Sequence, residues 1–263
     1  MAVFDLAECG GLMDDLTAIA MRAAEAIQRS RREALRLKAD GSPVTAADEA
    51  AEAVICEGLK SLAPGVRIVS EEQAASRKAV LPADRTYFLV DPLDGTREFI
   101  AGRNEFTVNI ALVAAGTPVL GIITAPPLEL MWRGIVGHGA DRMAITAGGN
   151  APAPIHTRPR PRKPVVMVSR SHLDPNTSAY LEALPQKVPE TCGSSLKFCR
   201  IAEGTADLYP RLGPTHDWDV AAGHAIVEAA GGAVAAPNGS PLVYGSRDLL
   251  IPHFVATGDP RMT

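Results

Sequence analysis

Asp91 and Asp94 stand three residues apart at the end of an apolar run, Tyr87 to Val90, with Pro92 between them and Gly95-Thr96 behind them. Two carboxylates at the end of a buried strand repel, and one takes up a proton unless something pairs with them. Three arrangements address that constraint. In a solvated turn, Asp94 starts an Asx turn into Gly95 and Thr96. A calcium loop would need the pattern D-x-[DN]-x-[DN]-G with a distant Glu, which is not met. In a divalent-cation site, Asp91 and Asp94 converge, the Leu93 carbonyl turns inward and Pro92 stiffens the corner. Hard oxygen ligands of this kind select Mg2+ over zinc or copper. Gly95 and Thr96 would then open a short helix through Arg97, Glu98 and Phe99, its free amides facing the same spot. A metal beside such an amide nest is suited to phosphoryl transfer.

Other acidic residues could complete the set, each with an ordinary role as well. "IVSEE" ends a strand with Glu71 and Glu72, which also suits plain surface. "HDWDVAAGHAIVEAAGG" puts Asp219 at the start of an apolar helix, where capping alone is worth ~1 kcal/mol. Asp48 falls in the first turn of a helix, favourable with the dipole, and Thr96 suits a helix cap. Lys197 and Arg211 could neutralise a second anionic group or serve as surface charges.

The chain around these residues has 263 residues, 46 % hydrophobic and 21 % charged, with a net charge of −4. Such a balance argues against a nucleic-acid polymer or an anionic membrane surface as partner. No long apolar run suggests a transmembrane segment, and the N-terminus lacks a basic and apolar leader pattern, which predicts a soluble intracellular protein. Cys9, Cys56, Cys192 and Cys199 form no CxxC pair and read as reduced, buried residues.

Helical periodicity runs from Asp14 to about Ala39 and from Ala46 to the Pro64-Gly65 stop. Strand-like runs follow at Val66 to Ser70, Tyr87 to Asp91, Thr107 to Ala114 and Val119 to Thr124, and another at Glu129 to Val136. Residues 147–164, dense in Pro and Gly, mark the expected boundary between an N-terminal α+β domain (1–150) and a C-terminal α/β domain (151–263). Arg158, Arg160, Arg162 and Lys163 within it suit a solvated linker or an anion site. Beyond lie a strand at Val165 to Ser169, helices at Pro175 to Leu184 and Leu196 to Glu203, a strand at Asp207 to Pro210, and a helix from Val220 to Ala230.

Val90-Asp91-Pro92-Leu93-Asp94-Gly95-Thr96 and Trp218-Asp219-Val220-Ala221-Ala222-Gly223, with "GSPVTAADEAAE" (41–52) and "IVSEE" (68–72) upstream, resemble the lithium-sensitive, magnesium-dependent phosphatases that include inositol monophosphatase and fructose-1,6-bisphosphatase. The likeness runs from about residue 12 to 245. Within that family, "DGTREFIAGRNEFTVNIALV", "VSRSH" (168–172) and "GSSLKFCRIAEGTADLYPRLGPT" (193–215) resemble the CysQ-type 3'(2'),5'-bisphosphate nucleotidases. Inositol monophosphatases read DGT-T-N-F at the metal corner instead. His216-Asp217 before Trp218 is a departure.

The resemblance implies an α/β (α+β) fold layered as an αβαβα sandwich, and two Mg2+ ions per site. Glu71, Asp91 and the Leu93 carbonyl would hold one; Asp91, Asp94 and Asp219 would hold the second. A third, weaker ion would sit near Glu71 or Glu72, and Glu72 joins the catalytic candidates. Asp48 and Thr96 would help deprotonate a metal-bound water, and the Gly95 and Thr96 amides would hold phosphoryl oxygens. Ser169, His172, Gly193, Ser194, Lys197 and Arg211 are carried to the nucleotide side. The implied reaction is hydrolysis of adenosine 3',5'-bisphosphate (PAP), or its sulfated form PAPS, in sulfur assimilation, with sensitivity to lithium. Inositol 1-phosphate or another small phosphomonoester is the alternative substrate, and a non-catalytic metal-binding regulator the alternative class. A cytoplasmic monomer or homodimer is expected, with peripheral inner-membrane association compatible.

Overall fold

The computed structural model describes residues 6–30, 35–37, 43–74, 81, 86–146, 151–170 and 173–262. The chain opens with helix α1 (Leu6–Arg29), a hairpin of β1 (Leu35–Leu37) with β2 (Pro43–Thr45), and helix α2 (Ala46–Leu62). Next come β3 (Arg67–Ser70), the short α3 (Glu71–Ala74), β4 (Tyr87–Asp94) and the single turn α4 (Thr96–Ile100). Strands β5 (Thr107–Ala114), β6 (Thr117–Ala125), β7 (Leu130–Ile135), β8 (Gly139–Ala144) and β9 (Ala153–Ile155) complete a seven-stranded sheet in the order β3-β4-β5-β6-β7-β8-β9. Only the β3–β4 pair is parallel.

The second half contains β10 (Val165–Ser169), α5 (Pro175–Ala183), β11 (Val188–Cys192), α6 (Leu196–Ala202), β12 (Leu208–Arg211), β13 (Thr215–His216), α7 (Asp217–Ala229), β14 (Ala233–Ala235), β15 (Leu250–Ile251) and β16 (Phe254–Thr257). Its sheet has five strands in the order β11-β10-β12-β16-β14, and β13 pairs with β15 separately.

Side-chain alternation along β4 explains the layering. Phe88 and Val90 pack with Leu16, Ile19, Ala23 and Ile27 of α1 and Ile55 and Leu59 of α2. Tyr87 and Leu89 point the other way, into a cluster with Phe198 and Ile201 of α6, Val220 and Ile226 of α7, and Phe254 of the second sheet. Buried on both faces, the strand reads as continuous apolar sequence rather than as an alternation. Leu181 of α5 covers the far side of the second sheet against Val166, Leu208 and Val255. Five layers result, in the expected αβαβα order.

Helix α7 lies on the first sheet because small residues let backbones meet. A Cβ on Gly121 would sit 2.3 Å from the Ala222 carbonyl oxygen, and one on Gly134 would sit 2.8 Å from the Ile226 Cα. Gly223 is pressed against Phe198, whose ring atoms would lie 2.3 Å from an added Cβ. These contacts fix where the N-terminus of α7, and Asp219 with it, falls relative to β4.

Several elements differ from expectation. Helix α1 ends at Arg29 instead of reaching Ala39, because its apolar spacing ceases at Ile27; Leu35–Leu37 is a strand paired to Pro43–Thr45. Helix α7 begins at Asp217, three residues before the expected Val220. The first sheet runs on to Ile155, past the division expected at residue 150. β8 lacks an apolar alternation and is joined to β7 by a charged pair: Arg133 and Asp141 are direct cross-strand partners in bidentate contact at 2.9 Å. In the basic segment, the Arg158 guanidinium forks onto buried Asp207 at 2.7 and 2.9 Å, tying it to the second half. Cys56, Cys192 and Cys199 are buried free thiols, as expected.

Gly121→Ala is predicted to cost about 1–3 kcal/mol through overpacking against α7, read as a fall of several degrees in the melting temperature by calorimetry. Gly10→Ala, where an added Cβ meets nothing within 4 Å, is predicted to leave it unchanged or raise it, since alanine favours the helix.

Candidate active site

The register of β4 against β5 shifts between Asp91, opposite Asn109, and Asp94, opposite Thr107. Two residues on β4 thus face one on β5, a bulge that tolerates the missing amide of Pro92 and re-aims the strand end. The Leu93 amide donates to Asp91 Oδ1 at 3.0 Å, folding the corner onto itself. Gly95 follows at φ 91°, in the left-handed region, and a Cβ there would lie 2.9 Å from the Glu105 carbonyl oxygen. Conformation and space both demand glycine.

Strand order brings the other acids to this corner. β3 runs parallel beside β4, with Ser70 in register with Val90, so their C-terminal ends deliver Glu71 and Asp91 side by side. Helix α7 brings Asp219 from the second half. One carboxylate oxygen from each of Asp91, Asp94 and Asp219 lies within 4.8 Å of the others. Asp91 is buried, and burial first, then the charges of Glu71, Asp94, Asp219 and Asp48, drive its pKa well above the ordinary range. Burial and the charges of Asp94 and Glu71 push Asp219 up to about 7, against the opposing hydrogen bonds of the Thr215 hydroxyl and His216 amide.

Anions held this close without a cation are under strain that a divalent ion relieves. The donor set is all oxygen, with no histidine or thiolate, and so fits a hard cation such as Mg2+. Glu71 lines the same cavity; Glu72 is half-buried and does not line it.

Neighbours orient the ligands. Asp94 Oδ2 accepts from the Ser195 amide and from the Ser195 hydroxyl, both at 2.6 Å. Asn109 in turn donates to Ser195 Oγ at 2.7 Å. Asp48 is buried at the third position of α2, and its Oδ2 accepts from the Thr45 amide (2.7 Å) and hydroxyl (2.6 Å) in a capping box. That leaves Oδ1 to meet Thr96 Oγ1 at 3.3 Å, while the same hydroxyl lies 3.1 Å from the Leu93 carbonyl. The Thr96–Asp48 pair expected from the sequence is therefore present.

A cavity of about 450 Å3 opens over the corner. Asp91, Asp94, Thr96 and Asp219 form one end; Ser169, Gly193, Ser194, Lys197 and Arg211 are also in its wall. Lys197 is buried, its ammonium donating to the Cys192 carbonyl at 3.3 Å and to the Ser194 carbonyl, 5.1 Å from the Tyr209 ring centre. The buried Nε of Arg211 has no hydrogen-bond partner among the described residues. His172 lies outside the described residues. His216, the departure from the family pattern, stacks on Trp218 with ring centres 4.5 Å apart at the cavity wall.

Sequence reasoning missed Ser195, Asn109, Thr215 and Thr45, which hold the acids in place. Asn109 had a signal, a lone amide inside the apolar run "TVNIALV"; Thr45 had one in the T-x-x-D capping spacing. Ser195 and Thr215 had none, since their partners are distant in sequence or hidden in a turn.

A family model described as the inositol monophosphatase family matches residues 12–260. The chain belongs to the inositol monophosphatase family. A 3'(2'),5'-bisphosphate nucleotidase CysQ from Escherichia coli K12 is 47 % identical over 211 residues, covering 80 % of this chain and 83 % of the relative. The crystal structure of CysQ from Bacteroides thetaiotaomicron superposes with a TM-score of 0.79 at 34 % identity, over 94 % of this chain and 97 % of that one. An inositol monophosphatase from Anabaena superposes with a TM-score of 0.77 at 27 % identity, over 97 % of this chain and 93 % of that one. Membership of this metal-dependent family agrees with the acidic cluster. Among the described residues, no helix is long and apolar enough to cross a membrane.

A pH prediction follows from the raised carboxyl. In the metal-free protein Asp219 titrates near 7 when folded against 3.8 ordinarily. Between those values the folded state binds the extra proton, so the contribution of this group to stability falls as pH rises. A cation competes with that proton and so stabilises more at high pH. Calorimetric melts of metal-free protein are expected to show a larger Mg2+-induced rise at pH 8 than at pH 5.5. In Asp219→Asn that pH-dependent difference is expected to shrink.

Proposed function

We propose that this protein is a Mg2+-dependent 3'(2'),5'-bisphosphate nucleotidase that hydrolyses the 3'-phosphate of adenosine 3',5'-bisphosphate to give AMP and phosphate. The observation that carries the proposal is a single cavity that holds both an acidic cluster and cationic side chains. Its wall carries five carboxylates, those of Glu71, Asp91, Asp94, Glu98 and Asp219, together with Arg97, Lys197 and Arg211. A substrate with one phosphate needs the acidic, cation-loaded end alone; a bisphosphate also needs cations for the phosphate that stays. Identity of 47 % to a nucleotidase of that class supports the assignment.

Glu71, Asp91, Asp94, Asp219 and the Leu93 carbonyl would hold two Mg2+ ions. Bound there, the metal neutralises phosphoryl charge and makes water acidic enough to serve as a nucleophile near neutral pH. The remaining steps fall to the chain. Thr96 Oγ1 accepts the hydrogen of the attacking water while its own proton is directed to Asp48 Oδ1. Thr45 holds Asp48 in the orientation that makes this acceptor available. Water oxygen bonds to phosphorus as the bond to the 3'-oxygen breaks, and the departing 3'-alkoxide takes up a proton to leave AMP. The Gly95 and Thr96 amides steady the phosphoryl oxygens. Gly193, Ser194 and Ser169 seat the nucleoside, and Lys197 and Arg211 face the 5'-phosphate. PAPS, which keeps the same 3'-phosphate, would enter the same way and leave APS. Such chemistry fits a cytoplasmic enzyme clearing nucleotides of sulfur assimilation.

Two measurements test the assignment. With Mg2+, kcat/KM for adenosine 3',5'-bisphosphate is expected to exceed that for inositol 1-phosphate; the reverse order would make this an inositol monophosphatase in function as well as in fold. Thr96→Ala and Asp48→Asn are expected to lower kcat by about 10²–10⁴-fold with little change in KM, the range of general-base contributions. Arg211→Ala is expected to raise KM for the bisphosphate and leave that for small phosphomonoesters near the parent value.

A further inference from the structure

The turn Gly193-Ser194-Ser195 is held at both ends by carboxylates from the first half of the chain. At one end the Ser195 amide and hydroxyl are bound to Asp94. At the other, the Gly193 amide donates to Glu105 Oε2 at 2.9 Å. Ser194 between them adopts φ 47°, a left-handed conformation that serine takes only when its surroundings enforce it. Lys197 holds the Cys192 and Ser194 carbonyls from beneath. The Ser194 amide is left without a hydrogen-bond partner among the described residues, and Ser194 lines the cavity.

Glu105 does this from outside the cavity, in the segment between α4 and β5. Its carboxylate is gripped by Arg170, just beyond β10, with Nε to Oε2 and Nη2 to Oε1 both at 2.7 Å. Arg170 Nη2 also reaches the Thr191 carbonyl at 3.3 Å. Space is as constrained as charge: a Cβ on Gly193 would lie 3.0 Å from both the Cβ and the carbonyl oxygen of Glu105, and from the Glu98 Cγ. The Glu105 carbonyl oxygen is the same atom that excludes a side chain at Gly95. The Glu105 backbone therefore abuts both the Gly95 corner and Gly193, while its side chain holds the Gly193 amide.

We infer that Glu105, gripped by Arg170, is a positioning residue that fixes the Gly193-Ser194-Ser195 turn and thereby the leaving-group side of the cavity. The inference deepens the nucleotidase reading and rests on it for the identity of the ligand. Neither Glu105 nor Arg170 lines that cavity, so the pair acts through the turn. Asp94 binds the other end of the turn, at Ser195, so loss of Glu105 is expected to affect nucleotide binding ahead of the cation site.

Steady-state kinetics and hydrogen exchange on the full chain test this. Glu105→Ala is expected to raise KM for adenosine 3',5'-bisphosphate about tenfold or more, with kcat within about threefold, the size of a lost hydrogen bond to a charged acceptor. Glu105→Gln keeps an acceptor for the Gly193 amide and is expected to recover part of the loss. Exchange of the Gly193 amide is expected to accelerate in Glu105→Ala and to stay closer to the parent rate in Glu105→Gln. Should Glu105→Ala not fold, Arg170→Ala removes only the grip and is expected to raise KM in the same way. Parental KM and parental exchange in the variants, or a loss confined to kcat and Mg2+ half-saturation, overturns the inference. So does a glutamine variant no better than alanine. The exchange measurement needs no substrate, so it still tests the clasp if the parent protein fails to hydrolyse the nucleotide.

Discussion

The structure is organised around a repulsion. Carboxylates from β4, from the end of β3 and from the N-terminus of α7 are pressed together at the wall of one cavity, and burial with their mutual charge raises the pKa of Asp91 and Asp219 in the absence of a cation. No fold would assemble such a cluster for stability alone, since each buried anion costs several kcal/mol unless paired. Much of the architecture serves to hold it: the bulge in β4, the left-handed Gly95, the parallel register of β3 with β4, and the glycines that let α7 settle on the sheet.

Supporting side chains divide the work between holding and reacting. Asp94 turns one oxygen to Ser195, Asp48 one to Thr45, and Asp219 one to Thr215 and the His216 amide. In each case one oxygen is committed to protein donors, which orients the carboxylate for a ligand or a proton. Orienting partners of this kind tune an oxygen-ligand site as much as the ligands do.

The acidic corner was legible in the sequence because its residues are local: Asp91, Leu93, Asp94, Gly95 and Thr96 lie within one strand end and one turn. Glu71 and Asp219 were candidates from the sequence but were assigned only through resemblance, since a strand-end glutamate and a helix-capping aspartate have ordinary roles. The αβαβα layering was legible only through resemblance, since apolar runs locate strands but do not number the layers. Strand β8 was not legible, because a charged Arg133–Asp141 pair holds it where an apolar alternation would have announced it. Helix α1 was extended too far because charged residues after Ile27 suit a helix surface as well as a strand. Ser195 and Glu105 escaped notice for a common reason: each acts on a partner about a hundred residues away or in another layer, and no spacing encodes that.

Lys197 is anchored to two carbonyls and cannot swing with its guest. A cation tethered in this way needs no reordering when the cavity fills, so the entropy of fixing a long flexible side chain is lost on folding and not on binding.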